Sequence, residues 1–389
     1  MIRLLADWKK ALDEKKYDGA TLMDLSKAFD CIPHDLLIAK MNAYNFSKET
    51  VTFFYSYLKR RKQCVKINNV KSSFQTMLSG VPQGSILGPI LFNIFLNDLF
   101  LCIKNASLHN FADDNTISAS DKKFDNLIST LESESNIAIK WFKENDNIVN
   151  PDKFQAIVIK KDKNMNEEYK LRLGNVEIST KAKVELLGIQ IDEKLNFDEH
   201  VSYLCKKASN QLNAISRLQK YIASEPKKVL LNSFVFSNFN YCPLIWHFCS
   251  SKSSNKIEKI QERALRLSLN DYDSHYSILL KKANKPTMEV KRLKTLVLEI
   301  FKTLHDCNPN YIKEFFSLND KAKRRPNNLA IHNHNTTKYG DKSLRILGPR
   351  LWNSLPENFK SETNYNKFIL LLKDWCGPTC QCNLCSFPK

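Results

Sequence analysis

The hydrophobic periodicity of this chain changes near residue 198, and this change constrains the fold more than any other feature. Before it, short apolar runs that suit buried strands, such as residues 19–25 and 154–160, alternate with helically spaced apolar residues, as over 124–142. After it, apolar side chains recur at helical spacing almost throughout. The pattern predicts an α+β fold, in which a sheet with helices on one face is followed by a helical region.

Shorter patterns predict three segments: residues 1–197 with the sheet, 198–320 as helices, and 321–389 as a C-terminal region. A polar, basic stretch at 320–335 is a predicted linker or exposed loop. Further elements are predicted as two helices within 34–60, strands at 63–68, 73–78 and 184–191, short strands on both sides of 112–114, and helices at 86–103, 226–248, 257–269 and 290–304.

The chain is strongly basic, with 59 lysines and arginines against 41 acidic residues and a formal charge of +18. This excess points to a polyanionic partner, of which nucleic acid is the commonest, and a solvated lysine-rich surface is the equally compatible alternative on charge alone. Residues 1–10 lack the apolar core of a secretory signal. The most apolar run, 85–103, is interrupted by Asn93, Asn97 and Asp98, which predicts a buried helix and no membrane association. We expect an intracellular protein, in the nucleus, the cytoplasm or both.

Glycine is scarce, with nine in the chain, and three fall at Gly80, Gly84 and Gly88 in the run GVPQGSILGP before a predicted helix. Glycines there let a backbone approach a ligand closely, and a helix N-terminus offers free amides. An ordinary strand-to-helix turn containing proline is the alternative interpretation.

Three aspartates are the candidate metal ligands. Asp113 and Asp114 are adjacent in a turn between two predicted strands, and Asp24 ends a strand that otherwise looks buried. Turn chemistry and a helix cap, which Asp30 would serve better, are the alternatives. If strand 19–25 lies beside the hairpin, Asp24 and Asp113 face each other, and carboxylates about 4 Å apart repel by about 4 kcal/mol at an effective dielectric near 20. Such a pair would either share a proton or hold metal ions. Two Mg²⁺ ions would relieve the repulsion and promote phosphoryl displacement.

The order of these motifs resembles that of reverse transcriptases. Residues 23–37 (MDLSKAFDCIPHDLL), 80–85 (GVPQGS) and 111–114 (FADD) are similar to the three central motifs, and the first is similar to its version in LINE-type, jockey-like elements. Residues 348–356 (GPRLWNSLP) resemble a C-terminal segment of the same proteins. The resemblance implies a polymerase palm with an antiparallel sheet, then a helical thumb, in an RNA-directed DNA polymerase of a non-LTR retrotransposon.

The resemblance implies partners and roles. An RNA template, a DNA primer and dNTPs would bind, and no obligate protein partner is indicated. Asp24 and Asp113 would ligate two Mg²⁺ ions, with Mn²⁺ as a substitute, and Asp114 would support them. Phe29 would be the steric gate against the ribose 2′-hydroxyl, with a core phenylalanine as the alternative. Gln83 and Gly84 would pack along the incoming nucleotide and template.

Further matches extend the resemblance. Ala112 would lie against the primer end. Asn150-Pro151-Asp152-Lys153 resembles the next motif, whose lysine would protonate the leaving pyrophosphate, although an exposed turn lysine is equally compatible with the residues. Leu187 and Gly188 resemble the primer-grip hairpin. The basic helices that follow resemble a thumb that tracks a duplex backbone without reading sequence.

The sequence departs from the family pattern at its start. Only 23 residues precede Asp24, whereas the family pattern places the fingers, the triphosphate-binding basic residues and an endonuclease upstream, so we expect a truncated element copy or a partial gene model. We therefore expect weak or no polymerase activity from this chain alone. The alternative function is a catalytically silent remnant that binds RNA or an RNA–DNA hybrid. A viral RNA-dependent RNA polymerase is less compatible with Phe29 and the FADD turn.

Four of the eleven cysteines crowd the C-terminus as Cys376, Cys380, Cys382 and Cys385. Their number suits a zinc site, but their spacing departs from paired knuckles, and reduced tail thiols are the favoured interpretation.

Overall fold

The computed structural model describes residues 1–159, 168–319 and 327–378. Within it, the chain forms two compact units: Lys15–Gly188 is one, and Met1–Glu14 with Ile189–Lys389 is the other. The first unit contains the sheet and the second is mostly helical, so the predicted α+β class is confirmed. The predicted boundaries at 197 and 320 stay predictions of domain organisation, and the N-terminal helix packs with the helical unit instead of the sheet.

The described helices are numbered in chain order. They are α1 Ile2–Asp13, α2 His34–Ala43, α3 Lys48–Leu58, α4 Leu87–Leu96, α5 Leu99–Cys102, α6 Phe124–Glu144, α7 Asp198–Arg217, α8 Ser224–Leu230, α9 Ser251–Leu269, α10 Tyr276–Ala283, α11 Met288–Leu304, α12 Asn310–Lys313, α13 Leu344–Asn353, α14 Glu357–Lys360 and α15 Tyr365–Asp374. None of these helices is both long and apolar enough to cross a membrane.

The described strands are short, and most lie in the first unit. They are β1 Tyr17–Met23, β2 Leu25–Ser26, β3 Lys62–Gln63, β4 Lys66–Ile67, β5 Val70–Lys71, β6 Gln75–Thr76, β7 Ser107–Phe111, β8 Asp114–Asp121, β9 Ile148–Val149, β10 Gln155–Ile159, β11 Lys170–Leu173, β12 Val176–Ser179, β13 Lys183–Leu186 and β14 Ile189–Asp192.

The central sheet is antiparallel, with strand order β10-β1-β8-β7. β1 is buried from Asp18 onwards, as its continuous apolar run requires of a central strand. Gly19 lets α6 approach the sheet closely, because a Cβ there would lie 3.1 Å from Leu131 Cδ1. On the same face, the buried Thr21 and Ser135 hydroxyls lie 2.7 Å apart, which fixes the register of α6 on β1.

The second unit is a helical assembly that includes α1. Its apolar core joins residues of α11, α13 and α15 to Ala6. Asp13, at the end of α1, accepts hydrogen bonds from the backbone of Asn335 and Thr336, and Lys9 Nζ donates to the Lys342 carbonyl at 2.5 Å. The N-terminal helix is therefore held by residues more than 300 positions away.

The predicted helix over 226–248 is wrong in its second half. α8 ends at Leu230 and is followed by a π-helical turn, Leu231–Val235, and a 3₁₀ turn, Phe236–Phe239. Here the Ser237 hydroxyl and the Asn238 amide donate to the carbonyls of Ser233 and Phe234, competing with regular helical bonding. Cys242, before Pro243, has a φ of 44°, so the helix does not resume.

Candidate active site

The central strands bring the candidate acidic residues to one edge of the sheet. β1 ends at Met23, which pairs with Asn115 at the start of β8. β7 and β8 pair Phe111 with Asp114, so Ala112 and Asp113 form a two-residue turn. Asp24, the next residue after β1, therefore lies beside this turn.

Two asparagines hold the turn in shape. Asn115 is 1% exposed, and its amide donates to the Asp113 carbonyl at 2.9 Å. The Asn110 amide donates to the Ala112 carbonyl at 2.9 Å and to Asn115 Oδ1 at 2.8 Å. Ala112 has a φ of 53°, a conformation that residues other than glycine seldom adopt. These bonds fix the carbonyls of Ala112 and Asp113 and so help to hold the strained backbone of Ala112.

Lys153 reaches the same edge from the other side. β9 pairs with β2, directly after Asp24, and the Asn150 N–H donates to the Asp24 carbonyl at 3.1 Å. A short 3₁₀ helix, Pro151–Lys153, then places the Lys153 ammonium 2.5 Å from Asp24 Oδ2. Three separate parts of the chain thus meet at this edge.

The cluster brings three carboxylates, those of Asp24, Asp113 and Asp114, close to one cation, the Lys153 ammonium. Burial, and then the negative charges of Asp113 and Asp24, raise the pKa of Asp114. The hydrogen bond to Asp24 and its charge raise the pKa of Lys153. Within the described ranges, no three acidic, histidine or cysteine side chains are arranged as a ready-made metal cage. Magnesium usually binds one or two protein carboxylates plus substrate phosphates. The three crowded aspartates therefore suit magnesium, although they do not form a complete set of protein ligands.

The glycine-rich run folds against the segment that follows Asp24. Gly80 and Val81 donate backbone hydrogen bonds to the carbonyls of Ile32 and Phe29, both at 2.8 Å. Gln83 Nε2 donates to Asp30 Oδ1 at 2.9 Å. The segment after Asp24 and the glycine-rich run are therefore hydrogen-bonded to each other. We call this contact between residues 29–32 and 80–83 the joint, and Gln83 lies in it.

Phe29 is half-buried, and its ring stacks on Phe92 of α4 with centroids 4.5 Å apart. It thus has the packing of a core residue on one side and some exposure on the other. Gly84 has a φ of 80° and open space where a side chain would be. Leu187 and Gly188, at φ 50° and 75°, form a turn of their own between β13 and β14, so the predicted strand 184–191 is divided in two. Of the four C-terminal cysteines considered as zinc ligands, only Cys376 lies within the described residues, where it is exposed.

Sequence reasoning missed Asn110, Asn115 and the role of Asp30. Asn110 and Asn115 lie opposite each other on the two strands of the hairpin. Their position could have identified them, but only if the hairpin register were known. Asp30 was considered a helix cap, but α2 begins after Pro33 without a side-chain cap, and Asp30 accepts the Gln83 hydrogen bond instead.

Comparisons with known proteins agree with this topology. Residues 2–191 match the family described as reverse transcriptase (RNA-dependent DNA polymerase). A probable RNA-directed DNA polymerase from transposon BS of Drosophila melanogaster is 27% identical over 274 residues, which are 68% of this chain and 30% of that protein. The RNA-directed DNA polymerase from mobile element jockey of the same species is 24% identical, over 66% of this chain and 29% of that protein.

A solved structure of telomerase from Candida tropicalis, in complex with a fragment of telomeric RNA, is 13% identical over 75% of this chain and 49% of that chain. Its TM-score is 0.36, so the fold assignment is based on the sheet topology and the family match.

An antiparallel sheet with Asp113 and Asp114 beside the end of its central strand, together with the match over residues 2–191, defines the class of this part of the chain: it is similar to reverse transcriptases. The curated relatives are RNA-directed DNA polymerases of the Drosophila melanogaster elements BS, jockey and X-element, so the resemblance is to jockey-like proteins of non-LTR retrotransposons. The chain spans about 30% of the length of the first two curated relatives named above.

Proposed function

We propose that this chain acts as an RNA-directed DNA polymerase, which extends a DNA primer with deoxynucleotides on an RNA template, and that extension by this chain alone is weak, as expected from its sequence. The proposal is carried by one observation: Asp24, the adjacent Asp113 and Asp114, and Lys153 meet at one sheet edge. The similarity of residues 2–191 to reverse transcriptases supports it, and the relatives are RNA-directed DNA polymerases by name.

Asp24 and Asp113 are the proposed ligands of two Mg²⁺ ions, and Asp114 supports them. Asp114 fits this arrangement because its pKa is raised in part by the two neighbouring negative charges, which divalent cations would offset. Bound magnesium would supply stabilisation of the charge that develops on the attacking and leaving oxygens. Manganese has the same ligand preferences and would substitute.

Lys153 is the proposed general acid. Its ammonium already lies within hydrogen-bond reach of Asp24, so a nucleotide bound at these carboxylates would bring the leaving phosphate close to it. In the absence of nucleotide the same ammonium partly neutralises Asp24, and the pair would separate when a cation takes that oxygen.

The remaining roles concern the substrates. Phe29 would limit the space at the ribose 2′ position, while Gln83 and Gly84 would border the nucleotide and the template. The open space at Gly84 is compatible with close approach of a ligand to its backbone. Ala112 would contact the primer end, and the Leu187–Gly188 turn would support the primer.

Primer extension tests the proposal. The full chain is incubated with a labelled DNA primer on an RNA template, dNTPs and Mg²⁺ or Mn²⁺. Asp113→Asn should lower the extension rate at least about 10²-fold, because it removes a carboxylate ligand of the Mg²⁺ ions that would stabilise charge at the reacting phosphate. Asp125→Asn, at an exposed position at the start of α6, is the matched control and should extend like the wild type.

Two results would overturn the proposal. One is extension that Asp113→Asn leaves unchanged, and the other is no extension with either cation although the chain binds the primer–template. The second result would favour the silent nucleic-acid-binding alternative. Replacing dNTPs with rNTPs in the same assay tests the role of Phe29, since a Phe29→Val variant should gain rNTP use.

A further inference from the structure

A β-ribbon between α3 and Gly80 projects from the first unit, and we call residues 59–78 the arm. It consists of two nested antiparallel pairs: β3 with β6, and β4 with β5. Backbone bonds from Ser72 to Val65 at 2.9 Å and from Met77 to Arg61 at 2.8 Å join them into one ribbon. All of its residues except Cys64 and Met77 are exposed, so the arm contributes almost nothing to the core.

The arm has charge of one sign only. No acidic residue occurs between Glu49 and Asp98, which are well outside the arm on both sides. Within this acid-free stretch, all the cationic side chains fall in the arm: Lys59, Arg60, Arg61, Lys62, Lys66 and Lys71. Isolated lysines on an exposed strand discourage aggregation. A concentration of cations without any carboxylate goes beyond that need and is typical of a polyanion-binding surface.

The tip of the arm places two of these lysines directly opposite each other. The register pairs Lys66 with Lys71, and Ile67 with Val70. Like charges at paired cross-strand positions destabilise a ribbon, and no acidic residue of the arm offsets them. An anion lying between the two ammonium groups would turn this repulsion into attraction.

The other face of the tip is apolar and uncovered. Because side chains alternate along a strand, Ile67 and Val70 point away from the lysine pair, and they are 69% and 75% exposed. Phe74, further along the ribbon, is 62% exposed. Cations on one face of the tip and apolar side chains on the other suit a single strand that wraps around the tip with unpaired bases, whereas a duplex keeps its bases stacked inside.

The root of the arm is the joint that contains Gln83. Ser79, directly after the arm, donates through its hydroxyl to the Asp30 carbonyl at 2.9 Å, and Asp30 also accepts the Gln83 hydrogen bond. A strand held by the arm would therefore continue towards the residues proposed to border the nucleotide and the template.

We propose that the arm binds a single-stranded nucleic acid through its phosphates, with Lys66 and Lys71 as paired contacts at the tip. The binding itself follows from the charge and exposure of the arm. Only the use of the bound strand as a template rests on the proposed polymerase function.

Fluorescence anisotropy of the full chain tests this inference. A labelled 20-nucleotide RNA, a DNA of the same sequence, and the corresponding DNA duplex are titrated at several salt concentrations, with EDTA and without nucleotides. Each phosphate contact to a single strand contributes about 0.7 to the slope of log K against log salt. The double variant Lys66→Gln/Lys71→Gln should therefore lower the slope by about 1.4 and weaken single-strand binding about 25-fold at 0.1 M salt.

Three comparisons sharpen the result. Lys66→Arg/Lys71→Arg keeps the charge and should bind like the wild type. Lys122→Gln/Lys123→Gln removes two exposed lysines just beyond the far end of β8 from the turn and should leave the tip contacts intact. RNA and DNA single strands should lose affinity equally if phosphates are the contact, and a larger loss for RNA would assign the contact to the 2′-hydroxyl and overturn the phosphate assignment.

The inference fails if the double glutamine variant has the slope of the wild type, or if duplex binding weakens as much as single-strand binding. It also fails if Ile67→Ser/Val70→Ser abolishes binding while the lysine variant does not, which would identify an apolar docking surface for a protein. Because no nucleotide or metal is present, these outcomes are independent of whether the chain extends a primer.

Discussion

Replacing Gly80 with alanine tests the joint between the two motif segments. Gly80 has a φ of 83°, where a residue with a side chain costs about 1–2 kcal/mol. The added Cβ would also lie 2.7 Å from Asp30 Cα and 2.8 Å from its carbonyl oxygen, closer than atoms pack. Because these are backbone atoms, one segment must move, and overpacking of this kind costs about 1–3 kcal/mol more. We expect Gly80→Ala to destabilise the first unit by about 2–5 kcal/mol in total.

Gly84→Ala is the matched control for this change. Gly84 has nearly the same φ, 80°, but an added Cβ would meet no atom within 4 Å. It should therefore cost only the conformational part, about 1–2 kcal/mol. The difference between the two variants isolates the contact with Asp30.

The measurement is urea-dependent hydrogen–deuterium exchange, analysed in peptides from residues 15–159, because the chain has two units and a global signal would mix them. Gly80→Ala should also speed exchange of the Gly80 and Val81 amides, which bond to Ile32 and Phe29. If Gly80→Ala destabilises these peptides no more than Gly84→Ala, the close packing of the joint does not matter and the reasoning is refuted.

Two further predictions concern single side chains. Asn115→Leu removes the amide that donates to the Asp113 carbonyl. We expect primer extension to slow at least about tenfold and the free energy of unfolding to fall by about 1–3 kcal/mol. An unchanged extension rate would contradict the positioning role of Asn115. Burial lowers the pKa of His200 from 6.5 to about 4, so the unfolded chain binds more protons between these values and stability falls as the pH drops through them. His200→Asn keeps an acceptor for the Gln190 N–H but does not titrate. In urea titrations its stability relative to the wild type should rise by up to about 3 kcal/mol from pH 7 to pH 4. A stability difference that does not change with pH would refute the lowered pKa of His200.

The fold class was predictable because periodicity is a local property of the chain. The long amphipathic helix α6, the buried strand β1 and the strands around residues 112–114 all appear where their patterns predict them. Elements whose pattern competes with side-chain hydrogen bonding were not predictable, as the π and 3₁₀ turns after α8 demonstrate. The arm was predicted as two strands, but it contains four two-residue strands, because its exposed residues provide no burial pattern to define their limits.

The candidate site was predictable in its acidic residues and not in their supports. Asp24, Asp113 and Asp114 stand out because carboxylates at the end of a buried strand and in a tight turn are costly without a partner. The bond between Lys153 and Asp24, the Asn110–Asn115 pair and the Asp30–Gln83 bond each depend on pairings between distant segments. One sequence without strand register carries no information on such pairings.

The placement of α1 in the helical unit has a consequence for biosynthesis. This helix is translated before its partners, and residues that hold it, such as Asn335 and Thr336, follow 322 and 323 positions after Asp13. At about 5–20 residues per second, its partners leave the ribosome roughly 15–65 s afterwards. Meanwhile the buried Leu4, Leu5 and Trp8 have no final contacts, and the continuous unit Lys15–Gly188 is complete long before. The sheet unit can therefore fold before residues 335 and 336 are translated, whereas α1 makes its final contacts only after them, and its apolar side chains stay exposed in the interval.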